Sequence, residues 1–348
     1  MKEIFSKRLK NARLAAGFSQ DDLVKAMNSL VSKNAISKYE KGLMMADGKV
    51  IISLANALNV KPDYFLRPFT IEIERVEFRK KSKLSVKKVD SIKQKVTDVV
   101  ERYLEVEQFL SIESSFENPI SSFKITNGEE VENAVNRLLE IWKIGYNAIP
   151  NVIELLEDKE IKVIEVEAPD EFDGFSGWAN GKYPVIVINK HYTIERKRLT
   201  ALHELGHLLL SFDTSINHKD IERLCFRFAA AMLIPVSTII NELGPYRGYI
   251  SMAELIGIKE NYGISIQALM HRAKELGIIK DMTYINFRKR INKNRSEDGL
   301  GKYSGAEKSN RFKQLVFRAA SEEVISMSKA ANLSNQKLGE FRKEMMAL

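Results

Sequence analysis

Residues 199–210 read LTALHELGHLLL. Without three of its letters this is an ordinary buried helix of Leu and Ala. The three are His203, Glu204 and His207. Two imidazoles and a carboxylate are costly to bury without partners, so the fold around this helix has to supply them. Residues four apart share a helix face, so His203 and His207 can hold one ion between them. Two neutral imidazoles suit zinc, and Glu204 beside them is placed to hold a water and take its proton. With five His and thirty-three Glu in the chain, composition alone would produce this spacing with a chance of roughly 0.7%. Gly206, a poor helix former, leaves room beside the motif for a substrate or a neighbouring strand.

A catalytic zinc takes three protein ligands and keeps one position open. Asp213, His218, Asp220, Glu222 and Cys225 follow closely. The segment HKDIERLCFRFAAAMLIP reads as a helix with Ile221, Leu224, Cys225, Phe228 and Met232 on its apolar side and Glu222 at the margin. Spacing does not choose between Glu222 and Asp220. Cys225 reads as a small core residue, because a nucleophile needs a base and an electropositive setting. His218, Tyr183, Tyr192, Tyr246 and Tyr249 are candidates to stabilise an oxyanion. His191 and His271 have no ligand spacing.

The pattern around these segments is mainly α with a small β-sheet (α+β). Residues 1–66 read as five short helices. Residues 67–88 begin with alternation at Ile71, Ile73 and Val76 and end in a basic run, so they read as a strand or extended linker. Ile92, Val96, Val99, Val100, Tyr103, Val106 and Leu110 mark an amphipathic helix over 89–111, and 112–127 reads as a loop. Val131, Val135, Leu138, Leu139 and Trp142 mark a helix over 129–147. Strands follow at 161–164 and at PVIVIN (184–189), with Asn180-Gly181 as a hairpin signal. After residue 281 the chain is basic, with a Gly-rich loop (EDGLGKYSG) and two more helices. The expected organisation is a helical domain over 1–68, linker and helix over 69–128, a central domain over 129–280 and a basic helical region over 281–348.

In the N-terminal part, Ser19 can cap a helix whose Asp21 and Asp22 suit its positive end. A second helix opens at Val31-Ser32, with Ile36 inward. Lys33, Asn34, Ser37 and Lys38 fall outside its apolar stripe. Those side chains suit a DNA major groove, where Asn bonds adenine and Lys reaches guanine or phosphate. They equally suit a solvated face on a small bundle. The net charge of +8 and pI near 9.2 fit a nucleic-acid partner without demanding one. One cysteine, no apolar run long enough to span a membrane and no signal-peptide core in MKEIFSKRLK point to the reducing cytoplasm and to no membrane partner.

Two resemblances sharpen this reading. Residues 5–66 are similar to the XRE (phage-repressor-like) helix-turn-helix family through Arg13, Ser19-Gln20, Leu23, Ser32, Ile36, Tyr39-Glu40 and Gly42. The resemblance implies that Gln20 and the exposed side chains of 33–38 face a double-stranded DNA operator and that Arg13 and Glu40 pair; a homodimer is expected. The turn NSLVS is longer than that family's usual one. Residues 129–275 resemble the ImmA/IrrE family of bacterial metallopeptidases through Trp142, GFSGWAN, PVIVIN, RKRLTALHELGHLLL and ERLCFRFAAAMLIP. This implies a zincin-like fold binding Zn2+ through His203, His207 and Glu222, with Glu204 as the catalytic base. It also implies a repressor-type protein substrate, itself or a partner. The substrate strand is expected to add to PVIVIN, and segment 68–88 is an expected cleavage site. The alternative is an autorepressor or antitoxin whose peptidase-like domain docks a cognate toxin or ligand without proteolysis. SMSKAANLSNQKLGEF is faintly similar to helical hairpins of small DNA-binding antitoxins, and also suits a packing or dimerisation element.

Overall fold

The computed structural model describes residues 1–68, 71–74 and 84–347. In chain order it contains α1 (Lys2–Ala15), α2 (Gln20–Ala26), α3 (Lys33–Glu40), α4 (Gly48–Leu58), a 3-10 turn (Pro62–Leu66), β1 (Ile73–Glu74), α5 (Val86–Phe109) and β2 (Lys124–Ile125). Then come α6 (Gly128–Trp142), α7 (Val152–Asp158), β3 (Lys162–Val166), β4 (Gly174–Ala179), β5 (Tyr183–Asn189), α8 (Ile194–Leu209) and β6 (Ser211–Phe212). The remainder is helical: α9 (His218–Leu233), α10 (Val236–Leu243), α11 (Met252–Tyr262), α12 (Ile266–Glu275), α13 (Asp281–Ile291), α14 (Arg311–Ser321), α15 (Met327–Leu333) and α16 (Leu338–Met346). The chain is thus mainly α with a small sheet. Most of segment 68–88, the expected linker and cleavage site, lies outside the described residues.

The described residues form two compact units. One holds residues 1–68, 71–74, 84–114 and 310–347. Its N-terminal helices close over Phe5, Leu9, Leu23, Ile36, Leu54 and Phe65. The fifth expected helix is the 3-10 turn, started by Pro62, whose fixed φ suits a first helical position. Arg8, buried on α1, donates to Glu101 of α5 at 2.6 Å and to the carbonyls of Arg67 and Pro68. The other face of α5 covers the C-terminal helices. Tyr103 and Val106 pack with Leu315, Val316, Ala319, Leu333 and Phe341, and Arg102 donates to the Leu333 carbonyl. The amphipathic helix and the last helices therefore group with the N-terminal domain. Three helices rather than the expected two follow the Gly-rich loop, separated where Glu323 and Asn335 adopt the left-handed conformation, and α13 precedes the loop.

The second unit spans residues 115–309. β5 runs antiparallel to β4 (Gly177↔Val185) and parallel to β3 (Val163↔Ile186). The expected hairpin between β4 and β5 turns at Asn180 and Gly181, both with positive φ. β5 is fully buried past its first residue, as expected of a strand covered on both faces. With a neighbour on each edge, PVIVIN has no edge to offer an added strand, which corrects the expectation for substrate docking. β2 and β6 form a separate parallel pair. Around the sheet, α6, α8 and α9 supply Val131, Leu138, Ala201, Leu205, Phe228 and Met232 to one core. Among the described residues no single helix is long and apolar enough to cross a membrane.

Candidate metal centre and nucleic-acid interface

Thr193 caps α8, and the helix then runs buried from Ala201 through Gly206. Its close packing depends on two glycines. A Cβ on Gly206 would stand 3.3 Å from Phe228 Cδ1 and 3.4 Å from Cys225, so the missing side chain admits helix α9. The expected room beside the motif is filled by α9. Gly174 does the same for β4, since a Cβ there would meet the Val187 carbonyl at 2.6 Å and Thr200 at 3.0 Å. Residues two apart share a strand face, so this approach also carries Ser176 to α8.

The close approach of α9 brings Glu222 over the two histidines. Candidate ligand atoms of His203, His207 and Glu222 all lie within 4.8 Å of one another. The two Nε2 atoms are 3.2 Å apart. One Glu222 oxygen is 3.2 Å from His207 Nε2 and the other 3.6 Å from His203 Nε2. Burial pushes the Glu222 carboxyl up, but the hydrogen bonds and charges of the two histidines outweigh it and hold the group well below the usual carboxylate range. Two imidazole nitrogens and a carboxylate aimed at one point are a donor set that fits a borderline cation such as zinc. The Phe226 ring packs against His203, centroids 4.1 Å apart and planes tilted by 39°.

Glu204 is 2% exposed and accepts a hydrogen bond from Ser176 Oγ at 2.9 Å. Ser176 lies in the GFSGWAN segment but has no local spacing that marks it as part of the site. What signal there is comes from Gly174 two residues earlier. Asp220 is not with the histidines: it lies in the first turn of α9, where Asn217 caps its backbone amide, and its carboxylate accepts from the Asn217 side chain and pairs with Arg223. Cys225 is buried. Of the oxyanion candidates, Tyr192 directs its hydroxyl to the Phe172 carbonyl at 2.6 Å and to Asp173, while His218, Tyr246 and Tyr249 are exposed. His271 pairs locally with Glu275.

In the N-terminal unit, Ser19 and Asp22 form a capping box at α2, and Ser32 caps α3. The long turn between them is absorbed by Asn28 and Ser29, both at positive φ. Ile36 and Tyr39 anchor α3, leaving Lys33, Asn34 and Lys38 exposed and Ser37 half-buried. Arg13 grips Glu40 with two bonds, of 2.6 and 3.0 Å. Gln20 donates to the same Glu40 at 2.8 Å, so its amide braces α2 against α3. Lys33 pairs with Asp21 across the exposed face.

Comparisons with known proteins agree with both halves. Residues 9–65 match the family model described as Helix-turn-helix. Residues 156–274, which contain His203, Glu204, His207 and Glu222, match the peptidase-family model described as IrrE N-terminal-like domain. No curated protein matches the chain. The chain therefore joins a helix-turn-helix DNA-binding domain to a domain of the IrrE N-terminal-like peptidase family.

Proposed function

We propose that the chain is a cytoplasmic transcriptional regulator whose second unit is a zinc-dependent endopeptidase acting on a repressor-type protein, itself or a partner. The observation that carries this reading is the convergence of His203, His207 and Glu222 within 4.8 Å, with Glu204 on the same helix. Zinc held by these three residues supplies the Lewis acidity that makes water reactive towards a peptide carbonyl near neutral pH. Glu204 takes the proton of the attacking water and hands it to the leaving amine. Ser176 orients the Glu204 carboxylate, and Phe226 packs against His203. In the other unit, Asn34, Ser37 and Lys38 meet base edges and Lys33 exchanges Asp21 for a phosphate. Gln20 sets the angle of α3. The protein works as a homodimer on an inverted repeat.

The test is incubation of the full chain with zinc in host lysate, with Glu204→Gln as control, and fragments identified by mass spectrometry. The expected result is a fragment, of this protein or another, that appears with wild type only. If lysates from all inducing conditions give no Glu204-dependent fragment, the peptidase reading falls. The DNA-bound autorepressor or antitoxin that docks a toxin or ligand then replaces it.

A further inference from the structure

Helix α13 lies beyond the segment that matches the peptidase family, yet it belongs to the same compact unit. Phe287 and Ile291 are buried and fix it to the core. Together with Gln267 at the start of α12, it lines a cleft of about 490 Å³, well inside the size range of small-molecule sites. Residues 288–295, RKRINKNR, carry five Lys/Arg and no acid. None of the five forms an ion pair with a described residue. Elsewhere in the unit cations that are buried or half-buried have acidic partners: Arg198 pairs with Glu307, Lys259 with Glu297, and Arg227 and Arg272 share Glu132. The dipole of α13 accounts for cations in its last turn. It does not account for Arg295, which lies past the helix end and still lines the cleft.

The cleft also has an aromatic wall. Tyr284 is half-buried, its ring held edge-on against His271 with Lys274 at 5.6 Å. Ile285 beside it is exposed. Asn292 accepts from Arg295 Nε at 2.7 Å, which holds that guanidinium at the rim. Cations with a fixed fork match phosphate oxygens, and a flat ring next to them gives a base a stacking face. We propose that this cleft binds a nucleotide phosphate, with Arg288, Lys289 and Arg295 on the phosphate and Tyr284 and Ile285 against the base. The source is a free nucleotide or one residue of a single strand.

The full chain is titrated calorimetrically with ATP and with the oligonucleotide dT6, alongside Arg288→Glu/Lys289→Glu and Tyr284→Ala. The charged positions are exposed, and unchanged circular dichroism confirms folding. Saturable binding of ATP names the free nucleotide, and binding of dT6 without ATP names the strand; either supports the proposal if the double charge reversal weakens it by about tenfold or more. Tyr284→Ala is expected to weaken it severalfold. Failure of both probes to saturate, or equal affinity in the charge-reversed variant, overturns it.

Discussion

Ser176 Oγ stands 2.9 Å from Glu204 Oε2 and ties strand β4 to the helix that carries the two candidate histidine ligands. Both residues are buried. Removing a donor from a buried carboxylate costs about 1.5–3 kcal/mol. Ser176→Ala is therefore expected to lower the melting temperature while leaving metal content unchanged, and to slow any Glu204-dependent cleavage. An unchanged melting curve would mean that water replaces the hydroxyl.

The metal prediction follows from the donor set. The purified chain is expected to hold about one zinc, bound by three residues with one open position. His203→Ala/His207→Ala should lose it, and Glu204→Gln should keep it, as measured by inductively coupled plasma mass spectrometry. Chelation should destabilise wild type, since an ion bound to the folded state at a hundred times its Kd contributes about 2.7 kcal/mol. Stoichiometric zinc in the double variant would remove the assignment.

Much of this centre was legible before the structure because its strongest signal is local. His203 and His207 are four apart on a helix, and that spacing needs no tertiary information. Glu222 was less legible: on α9 it and Asp220 differ by two positions, and only the packing of α9 on Gly206 decides which carboxylate arrives. Ser176 was not legible, since its partner is 28 residues away and the register of β4 against α8 depends on Gly174. The central place of β5 was hidden for the same reason, because a buried apolar strand reads alike whichever neighbours it has. The grouping of α5 with the last helices rests on contacts such as Arg102–Leu333, 231 residues apart.

Residues after 280 also brace the peptidase-like unit. Glu307 accepts from the backbone amides of Val152 and Ile153 at 3.0 Å, closing the N-terminus of α7, and pairs with Arg198 of α8. Both side chains are 0% exposed, and the Tyr303 ring lies 4.4 Å from the Arg198 guanidinium. Breaking a buried pair costs about 3–5 kcal/mol. Glu307→Ala is expected to lower stability by that order in urea unfolding. A protein ending at residue 280 is expected to be unstable for the same reason, although it keeps the whole family-matched segment.

One acid-side prediction concerns α11. The Ser251 backbone amide, then its hydroxyl and Arg247, hold the Glu254 carboxyl down at about 2. A depressed folded value means that the cap is at full strength above the ordinary carboxylate range and is lost as pH falls through about 2. Carbonyl NMR titration should show Glu254 still ionised at pH 3. Arg247→Ala should move its titration upwards, and a normal midpoint in wild type would deny the cap in solution.

The last prediction separates reading from bracing in the helix-turn-helix domain. Asn34 and Lys38 are exposed on α3, whereas Gln20 is bonded to Glu40 inside the Arg13 pair. A side chain that reads a base loses about 1–3 kcal/mol on its operator when cut to Ala, and loses far less on random DNA. A phosphate contact loses equally on both and lowers the salt slope by about one. Asn34→Ala is expected to behave as the first kind. Lys33→Ala should behave as the second, because its present partner Asp21 is itself exposed and easily exchanged. Gln20→Ala should weaken operator and random DNA alike without changing the salt slope, since it removes a brace on the angle of α3 and no charge. Electrophoretic mobility shifts at several salt concentrations distinguish the three. A loss confined to the operator in Gln20→Ala would show that the amide leaves Glu40 and reads a base itself.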